Sequence, residues 1–207
     1  SANGTQALRI SGDGSAVYFS SNAADIRGTD TNPGFLGFDL FRFDTASEEV
    51  RIVSHTALDT ETTASADSNM ALLDSNAVSS DGRYFLYQSN ATDLVAGQVD
   101  TNGVADIFIY DALNQSNILV SHVDGQPLQT TSANTFAGNL SADGRFAVIF
   151  SGSTALVSGV DIAGSEQSFI YDRVARQARL LSHAAGTPST GANAQFTGNR
   201  FFLSADG

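Results

Sequence analysis

One pattern of residues occurs three times along this chain and begins a fourth time. The pattern reads "ISGDGSAVYFSSNAADI" from Ile10, "VSSDGRYFLYQSNATDLV" from Val78 and "LSADGRFAVIFSGSTALV" from Leu140, and "LSADG" starts at Leu203. These starting points follow one another at steps of 68, 62 and 63 residues. A chain with such a period is built from one structural unit used repeatedly, because each unit covers its apolar surface by packing against its neighbours.

Each complete repeat contains four short apolar runs. The first block leads into a second, "DLFRFDTASEEVRIVSH" from Asp39, "DIFIYDALNQSNILVSH" from Asp106 and "QSFIYDRVARQARLLSH" from Gln167. Gly and Asp-Gly turns separate runs that are rich in Val, Ile, Phe and Tyr, with no helical periodicity. In the second repeat this pattern predicts strands near residues 75–79, 83–88, 107–110 and 118–121.

Four antiparallel strands in each repeat predict an all-β chain made of β-propeller blades. We expect a single incomplete propeller domain over residues 1–207, with three four-stranded antiparallel blades and the first strand of a fourth. The predicted blades cover residues 6–55, 74–122 and 134–183, with the partial blade over 196–207.

The repeated motifs resemble those of a known group of proteins. The hairpin "S-x-DG-R-[YF]" followed by "D-[IL]-F-x-[YF]-D" is similar to the WD40-like or TolB-type (PD40) propeller repeats of bacterial envelope and secreted proteins. The resemblance covers nearly the whole chain and implies an extracellular or periplasmic location. Because propellers close with about four to eight blades, we expect the remaining blades to come from a longer chain or from an oligomeric partner.

Composition restricts the classes of partner. The chain has 42% hydrophobic residues, 22 acidic and 10 basic residues, a net charge of −12 and no cysteine. Such a charge disfavours nucleic acid and anionic lipid and favours cations. No apolar run approaches the roughly 18 residues that would predict a membrane span, and the absence of cysteine excludes disulfides and thiolate chemistry.

The loop "VDTNGVAD" in the second repeat is a candidate Ca²⁺ site. Asp100, Asn102 and Asp106 offer side-chain oxygens at spacings 1, 3 and 7, and Gly103 permits a sharp turn. Ca²⁺ takes six to eight oxygen ligands, including main-chain carbonyls and water. The pattern also resembles the Asp-rich loops of FG-GAP propellers, which implies Ca²⁺, although Gln98 stands where the first ligand of those loops falls.

Equivalent loops elsewhere carry weaker versions of this pattern. The first repeat has Asp30, Asn32 and Asp39, with three residues inserted before the last of them. The third repeat keeps Asp161 but has Ala163 and Gln167 in the other two positions. An alternative interpretation remains open for all three loops, in which Asp and Asn only make Asx turns and cap strands.

Three histidines follow Ser at the predicted ends of the fourth strands, namely His55, His122 and His183. Zinc ligands lie within about 2.1 Å of the ion, whereas packed sheets stand roughly 10 Å apart. One histidine per blade therefore predicts a repeated packing or hydrogen-bonding role.

The motifs repeat, and no non-repeated catalytic set accompanies them. There is no "G-x-S-x-G" nucleophile elbow. We therefore expect a non-catalytic binding or scaffold module, stabilised by Ca²⁺ and able to bind a protein or a glycan. The alternative is the propeller part of a hydrolase, a lyase or a peptidase, since fold does not choose between these functions.

Overall fold

The structure is a computed structural model, and it describes residues 5–31, 37–70, 76–162, 165–192 and 203–204. Within these ranges the chain is all-β. The predicted partial blade at 196–207 lies outside the described residues except for Leu203 and Ser204, and it stays a prediction.

The first blade is a four-stranded antiparallel sheet whose strands are hydrogen-bonded in chain order. A two-stranded hairpin follows it. The blade comprises β1 (Thr5–Ile10), β2 (Ala16–Ser21), β3 (Asp39–Asp44) and β4 (Val50–Ile52), and the hairpin comprises β5 (His55–Thr56) and β6 (Asp59–Thr63).

The second blade has the same order, and its first strand includes a segment that the sequence did not predict. Within the strand expected near 75–79, Val78 forms a bridge to Phe85, the Ser79 amide donates to the Tyr84 carbonyl at 2.9 Å and the Leu86 amide donates to the Ala77 carbonyl at 2.8 Å. The additional segment is Ser68–Met70, ahead of the predicted start at residue 74. The other three strands agree with prediction to within two residues. The blade comprises β7 (Ser68–Met70), β8 (Tyr84–Ser89), β9 (Asp106–Asp111) and β10 (Ser116–Leu119), followed by a hairpin of β11 (His122–Val123) and β12 (Gln126–Thr130).

The third blade repeats this arrangement and adds a short 3₁₀ turn at Thr154–Leu156. Within the described part of the chain, no helix is long and apolar enough to cross a membrane. The blade comprises β13 (Thr135–Leu140), β14 (Phe146–Ser151), β15 (Gln167–Asp172) and β16 (Gln177–Leu180), followed by a hairpin of β17 (His183–Ala184) and β18 (Thr187–Gly191).

The Ser-x-Asp-Gly turn closes the connection between the first and second strands of each blade. In the second blade, Ser79 Oγ donates to Asp81 Oδ1 at 2.6 Å and accepts from the Tyr84 amide at 2.9 Å. Gly82 has φ of +66°, a conformation that costs glycine little because it lacks Cβ. The side chains of the turn therefore satisfy its main-chain donors, which explains why the motif recurs.

Stacked aromatic rings form part of the contact between the first two blades. Tyr18 of the first blade stacks on Phe85 of the second with ring centroids 4.4 Å apart, and its hydroxyl donates to the Gly82 carbonyl at 2.8 Å. Both rings are fully buried. Each blade thus buries an apolar face against the next, which a four-stranded sheet cannot do alone.

The hairpins after the fourth strands join neighbouring elements together. In the second blade, β12 lies beside the loop of its own blade, with the Val99 amide donating to the Leu128 carbonyl at 2.8 Å. The hairpin turn also reaches the following blade, where the Asp124 amide donates to the Ala155 carbonyl at 2.8 Å. These hairpins were not predicted. The histidines expected at the ends of fourth strands begin the hairpins instead.

Candidate functional site: the Asp-rich loops

Asp106 enters the third strand of the second blade with a buried carboxyl group that is 2% exposed. Its Oδ1 accepts a hydrogen bond of 2.7 Å from Ser121 Oγ, and that hydroxyl accepts one of 3.0 Å from the Ile107 amide. The side chain is therefore held between β9 and the segment that follows β10.

The same contact recurs in the other two blades. In the first blade Ser54 Oγ donates to Asp39 Oδ1 at 3.0 Å, and in the third Ser182 Oγ donates to Gln167 Oε1 at 2.7 Å. In every repeat, the Asp or Gln that accepts this hydrogen bond precedes the serine by 15 residues. This constant spacing was the sequence signal for the pair, and sequence reasoning missed it.

Burial changes the acidity of the two buried aspartates. It raises the pKa of both Asp39 and Asp106 to about 7, while the serine hydrogen bonds partly oppose the shift. A buried carboxyl that must lose its proton is costly unless other groups compensate. Gln167 makes the same hydrogen bond as a neutral amide, so the position does not require a charge.

Asp100 and Asn102 form two consecutive turns in the loop ahead of Asp106. Asp100 Oδ1 accepts from the amides of Asn102 and Gly103 at 2.9 and 3.1 Å, and Asn102 Oδ1 accepts from the Val104 amide at 2.7 Å. Gly103 has φ of +63°. The Oδ1 atoms of Asp100 and Asn102 therefore form Asx turns, as the alternative interpretation predicted.

The fold also brings the three candidate ligands of the second blade together. The Asp100 charge raises the pKa of Asp106, and a hydrogen bond from the Asn102 side chain lowers it. Oδ2 of Asp100 accepts no hydrogen bond from the described residues, whereas the Asp106 carboxylate is bonded by both Ser121 and Asn102. Oδ2 of Asp100 is therefore available to a cation.

In the first blade the structure places part of the predicted set. The charges of Asp30 and Asp67 both raise the pKa of Asp39, so these carboxyl groups lie near one another. Asn32 lies outside the described residues. Over the described ranges, no three or more His, Cys, Asp or Glu side chains are grouped to hold a metal ion. Each loop would need main-chain carbonyls and water to complete a Ca²⁺ shell.

The histidines contact the next blade. His122 Nε2 lies 3.3 Å from the Tyr171 hydroxyl, and His55 meets Tyr110 edge to face with ring centroids 6.0 Å apart. Burial lowers the pKa of both His55 and His122. His183, at the end of the third blade, is exposed. The prediction of a repeated packing role is confirmed for the two internal histidines.

Negative charge is concentrated at one edge of the blades. Antiparallel order places the connections between second and third strands at the same edge as the hairpins. We call the described parts of these segments the loop face; they are residues 22–31, 37–39, 53–67, 90–106, 120–134, 152–162, 165–167 and 181–192. They carry twelve of the 22 carboxylates and one of the ten arginines, Arg27. The loop face therefore carries nearly the whole net charge of the chain.

No family model and no curated protein matches the chain. The solved structures that resemble it include the following two. The first is a prolyl endopeptidase, which is 17% identical to this chain with a TM-score of 0.45. The match covers 89% of this chain and 22% of the endopeptidase chain. A protein assigned as TolB from Agrobacterium tumefaciens is 14% identical with a TM-score of 0.35, over 88% of this chain and 63% of that one. This chain thus spans less than two thirds of either protein. Likeness at these scores says nothing of family or function, and the blade assignment rests on the chain's own sheets.

Proposed function

We propose that the chain is a non-catalytic binding or scaffold module of a bacterial secreted or cell-envelope protein. In this proposal the loop face binds a protein or glycan partner, and Ca²⁺ stabilises the loop of the second blade. The observation that carries it is the concentration of carboxylates on the loop face, where ten of the twelve are exposed or half-buried and only Asp39 and Asp106 are buried, because such a surface attracts cations and basic partners.

The repeated polar groups support a scaffold role. The pairs Asp106 with Ser121 and His122 with Tyr171 are buried and hydrogen-bonded inside the fold. A catalytic group must instead reach a substrate. Because these buried pairs recur in successive blades and their members bond to each other, their role is to stabilise the blades.

The Ca²⁺ part of the proposal depends on Asp100 and Asp106. Asp100 has one carboxylate oxygen that bonds within the fold and one that does not, and Asp106 is bonded by Ser121 and Asn102. A cation between the two carboxylates would also relieve the repulsion between their charges.

Thermal unfolding with Ca²⁺ or with chelator tests this site. Binding to the folded form alone stabilises it by roughly 2.7 kcal/mol when free Ca²⁺ is one hundred times Kd. We expect millimolar Ca²⁺ to raise Tm of the wild type but not of Asp100→Ala or Asp106→Ala. Asp161→Ala is the control, because Asp161 is a loop carboxylate of the third blade that pairs with its hairpin where Val99, and not Asp100, pairs in the second blade. An unchanged wild-type Tm, or a shift that survives both substitutions, would contradict the site.

A further inference from the structure

An open cleft of about 430 Å³ lies on the loop face, between the hairpin of the first blade and the loop of the second. We call it the hairpin cleft. It lies at the junction of two successive blades, and the second of these is itself followed by the third. The cleft can therefore be compared with the equivalent junction between the second and third blades.

One replacement in the hairpin opens this cleft. At the next junction Asp124 crosses from the hairpin to the following loop, where its Oδ2 accepts from the Ser158 amide at 3.0 Å. The equivalent hairpin residue of the first blade is Ala57. Its amide donates to the Asp93 carbonyl at 2.8 Å, as the Asp124 amide does to Ala155, but alanine has no side chain that reaches the loop. The space that the aspartate crosses at one junction is open at the other.

A second replacement puts a leucine beside the opening. Leu58 is 93% exposed, whereas the equivalent residue of the second hairpin is the turn glycine Gly125. Ala57, Val95 and Ala96 continue the apolar surface from this leucine into the cleft. A hydrocarbon chain that covers such a surface removes it from water, and this stabilises the complex.

The charged and amide side chains of the cleft offer hydrogen-bond acceptors. Asp93 Oδ1 accepts from the amide and the hydroxyl of Ser65, both at 3.0 Å, and its Oδ2 accepts no hydrogen bond from the described residues. Gln98 Nε2 donates to the Ala91 carbonyl at 3.1 Å, and its Oε1 has no partner among the described residues. None of the described residues that line the cleft is basic, so no cation of the lining competes for Asp93.

We propose that the hairpin cleft binds a lysine or arginine side chain of a protein partner, with the aliphatic stem against Leu58 and Val95 and the cationic group on Asp93. Such side chains carry an apolar stem and end in a cation with several N–H donors and no acceptor. The loop face around the cleft carries twelve carboxylates and one arginine, so its charge attracts a basic segment. This inference rests on the proposed function and specifies its partner. For a single side chain in an open cleft we expect a Kd of about 1 mM.

An NMR titration at pH 7, with chelator present, tests the site. The probe is a capped pentapeptide with one arginine between two pairs of glycines. The expected result is saturable shifts of the amide signals of residues 56–59 and 92–98. A peptide with citrulline in place of arginine keeps the shape and lacks the charge, and a peptide of five glycines lacks the whole side chain. Both should bind more weakly than the arginine peptide.

Three variants separate the two parts of the site. Asp93→Asn keeps the acceptor for Ser65 and removes the charge, so it should weaken binding about twofold to fivefold, as expected for a partly exposed ion pair. Leu58→Gly copies the second hairpin and should weaken binding about threefold or more, because the stem loses its apolar cover. Glu166→Gln is the control, because it removes an exposed loop-face charge in the third blade, and it should leave binding unchanged.

The possible outcomes separate this inference from the proposed function. It is overturned if the arginine peptide gives no saturable shifts at these signals, or if Asp93→Asn and Leu58→Gly bind it like the wild type while their Tm shows that they are folded. Tighter binding of the neutral sugar maltotriose at the same signals also overturns it, but leaves a loop face that binds glycan. If neither ligand shifts any loop-face signal and Ca²⁺ leaves Tm unchanged, the proposed function is contradicted as well.

Discussion

Asp106 enters its strand with a carboxyl group that water does not reach. Burial raises its pKa to about 7, and the usual value for an unfolded chain is near 3.9. The folded state therefore holds the proton to higher pH than the unfolded state does. Because the folded pKa is raised, its contribution to stability is fully present below about pH 4 and is lost as the pH rises through about 7.

Asp106→Asn should reduce this loss of stability with pH. Asparagine keeps the shape and cannot ionise, as Gln167 already illustrates at the equivalent position of the third blade. We compare how much free energy of unfolding each protein loses between pH 4.5 and pH 8. We expect this loss to be smaller in the variant than in the wild type by roughly 2–4 kcal/mol. Urea unfolding at both pH values, with chelator present, gives the comparison.

Gln167→Asp is the reverse control for this experiment. It should add a pH-dependent loss of stability where the wild type has none from that position. If the free energy of unfolding depends on pH equally in Asp106→Asn and in the wild type, ionisation of the Asp106 carboxyl does not reduce stability, and the prediction is wrong.

At the scale of the element, the Ser-x-Asp-Gly turn has one local structure but three different surroundings. Gly14, Gly82 and Gly144 all have φ near +70°. A Cβ on Gly14 would meet nothing within 4 Å, whereas one on Gly144 would overlap the Tyr84 ring of the preceding blade. The turn therefore determines the backbone, and the neighbouring blade determines how much space is left.

Alanine substitutions at these glycines should separate the two effects. Gly14→Ala should cost about 1 kcal/mol, because only the left-handed backbone opposes it. Gly144→Ala should cost about 2–4 kcal/mol, since it adds overlap with Tyr84 to the same backbone cost. The measurement is chemical denaturation of both variants beside the wild type. Equal losses would mean that Tyr84 moves aside without cost.

At the scale of the whole molecule, successive blades are joined by contacts that cross from one repeat to the next. His122 begins the hairpin of the second blade and contacts Tyr171 of the third, while the equivalent His183 is exposed. Among the described blades, the same residue in the same local structure thus contacts a following blade in one case and lies on the last described blade in the other.

His122→Ala should therefore destabilise the protein more than His183→Ala. Removing the buried imidazole loses its contact with Tyr171 and leaves that hydroxyl without its partner, at about 1–3 kcal/mol. His183→Ala should change the free energy of unfolding by no more than about 0.5 kcal/mol, as for other exposed positions. Thermal unfolding of the two variants measures this difference. A larger loss of stability for His183→Ala than for His122→Ala would indicate that the His183 imidazole is buried in solution.

The strands and turns of each blade could be predicted from the sequence because their signals are local. Asp-Gly at the turn and alternating apolar residues act within a few positions, so the repeat alone located β8, β9 and β10 within two residues. The segment Ser68–Met70 of the second blade was not predicted, because "SNM" has neither β-branched nor aromatic residues. It pairs with β8 through main-chain hydrogen bonds, which leave no sequence signal.

The sequence by itself determined the repeat, the all-β blades and the loop in which Asp100, Asn102 and Asp106 lie. Only the tertiary structure decided what those residues contact. Ser121 meets Asp106 because two strands pair in register, and His122 meets Tyr171 because two blades pack. Such contacts join residues that are distant along the chain, so neither spacing nor composition reports them until the sheets are assembled.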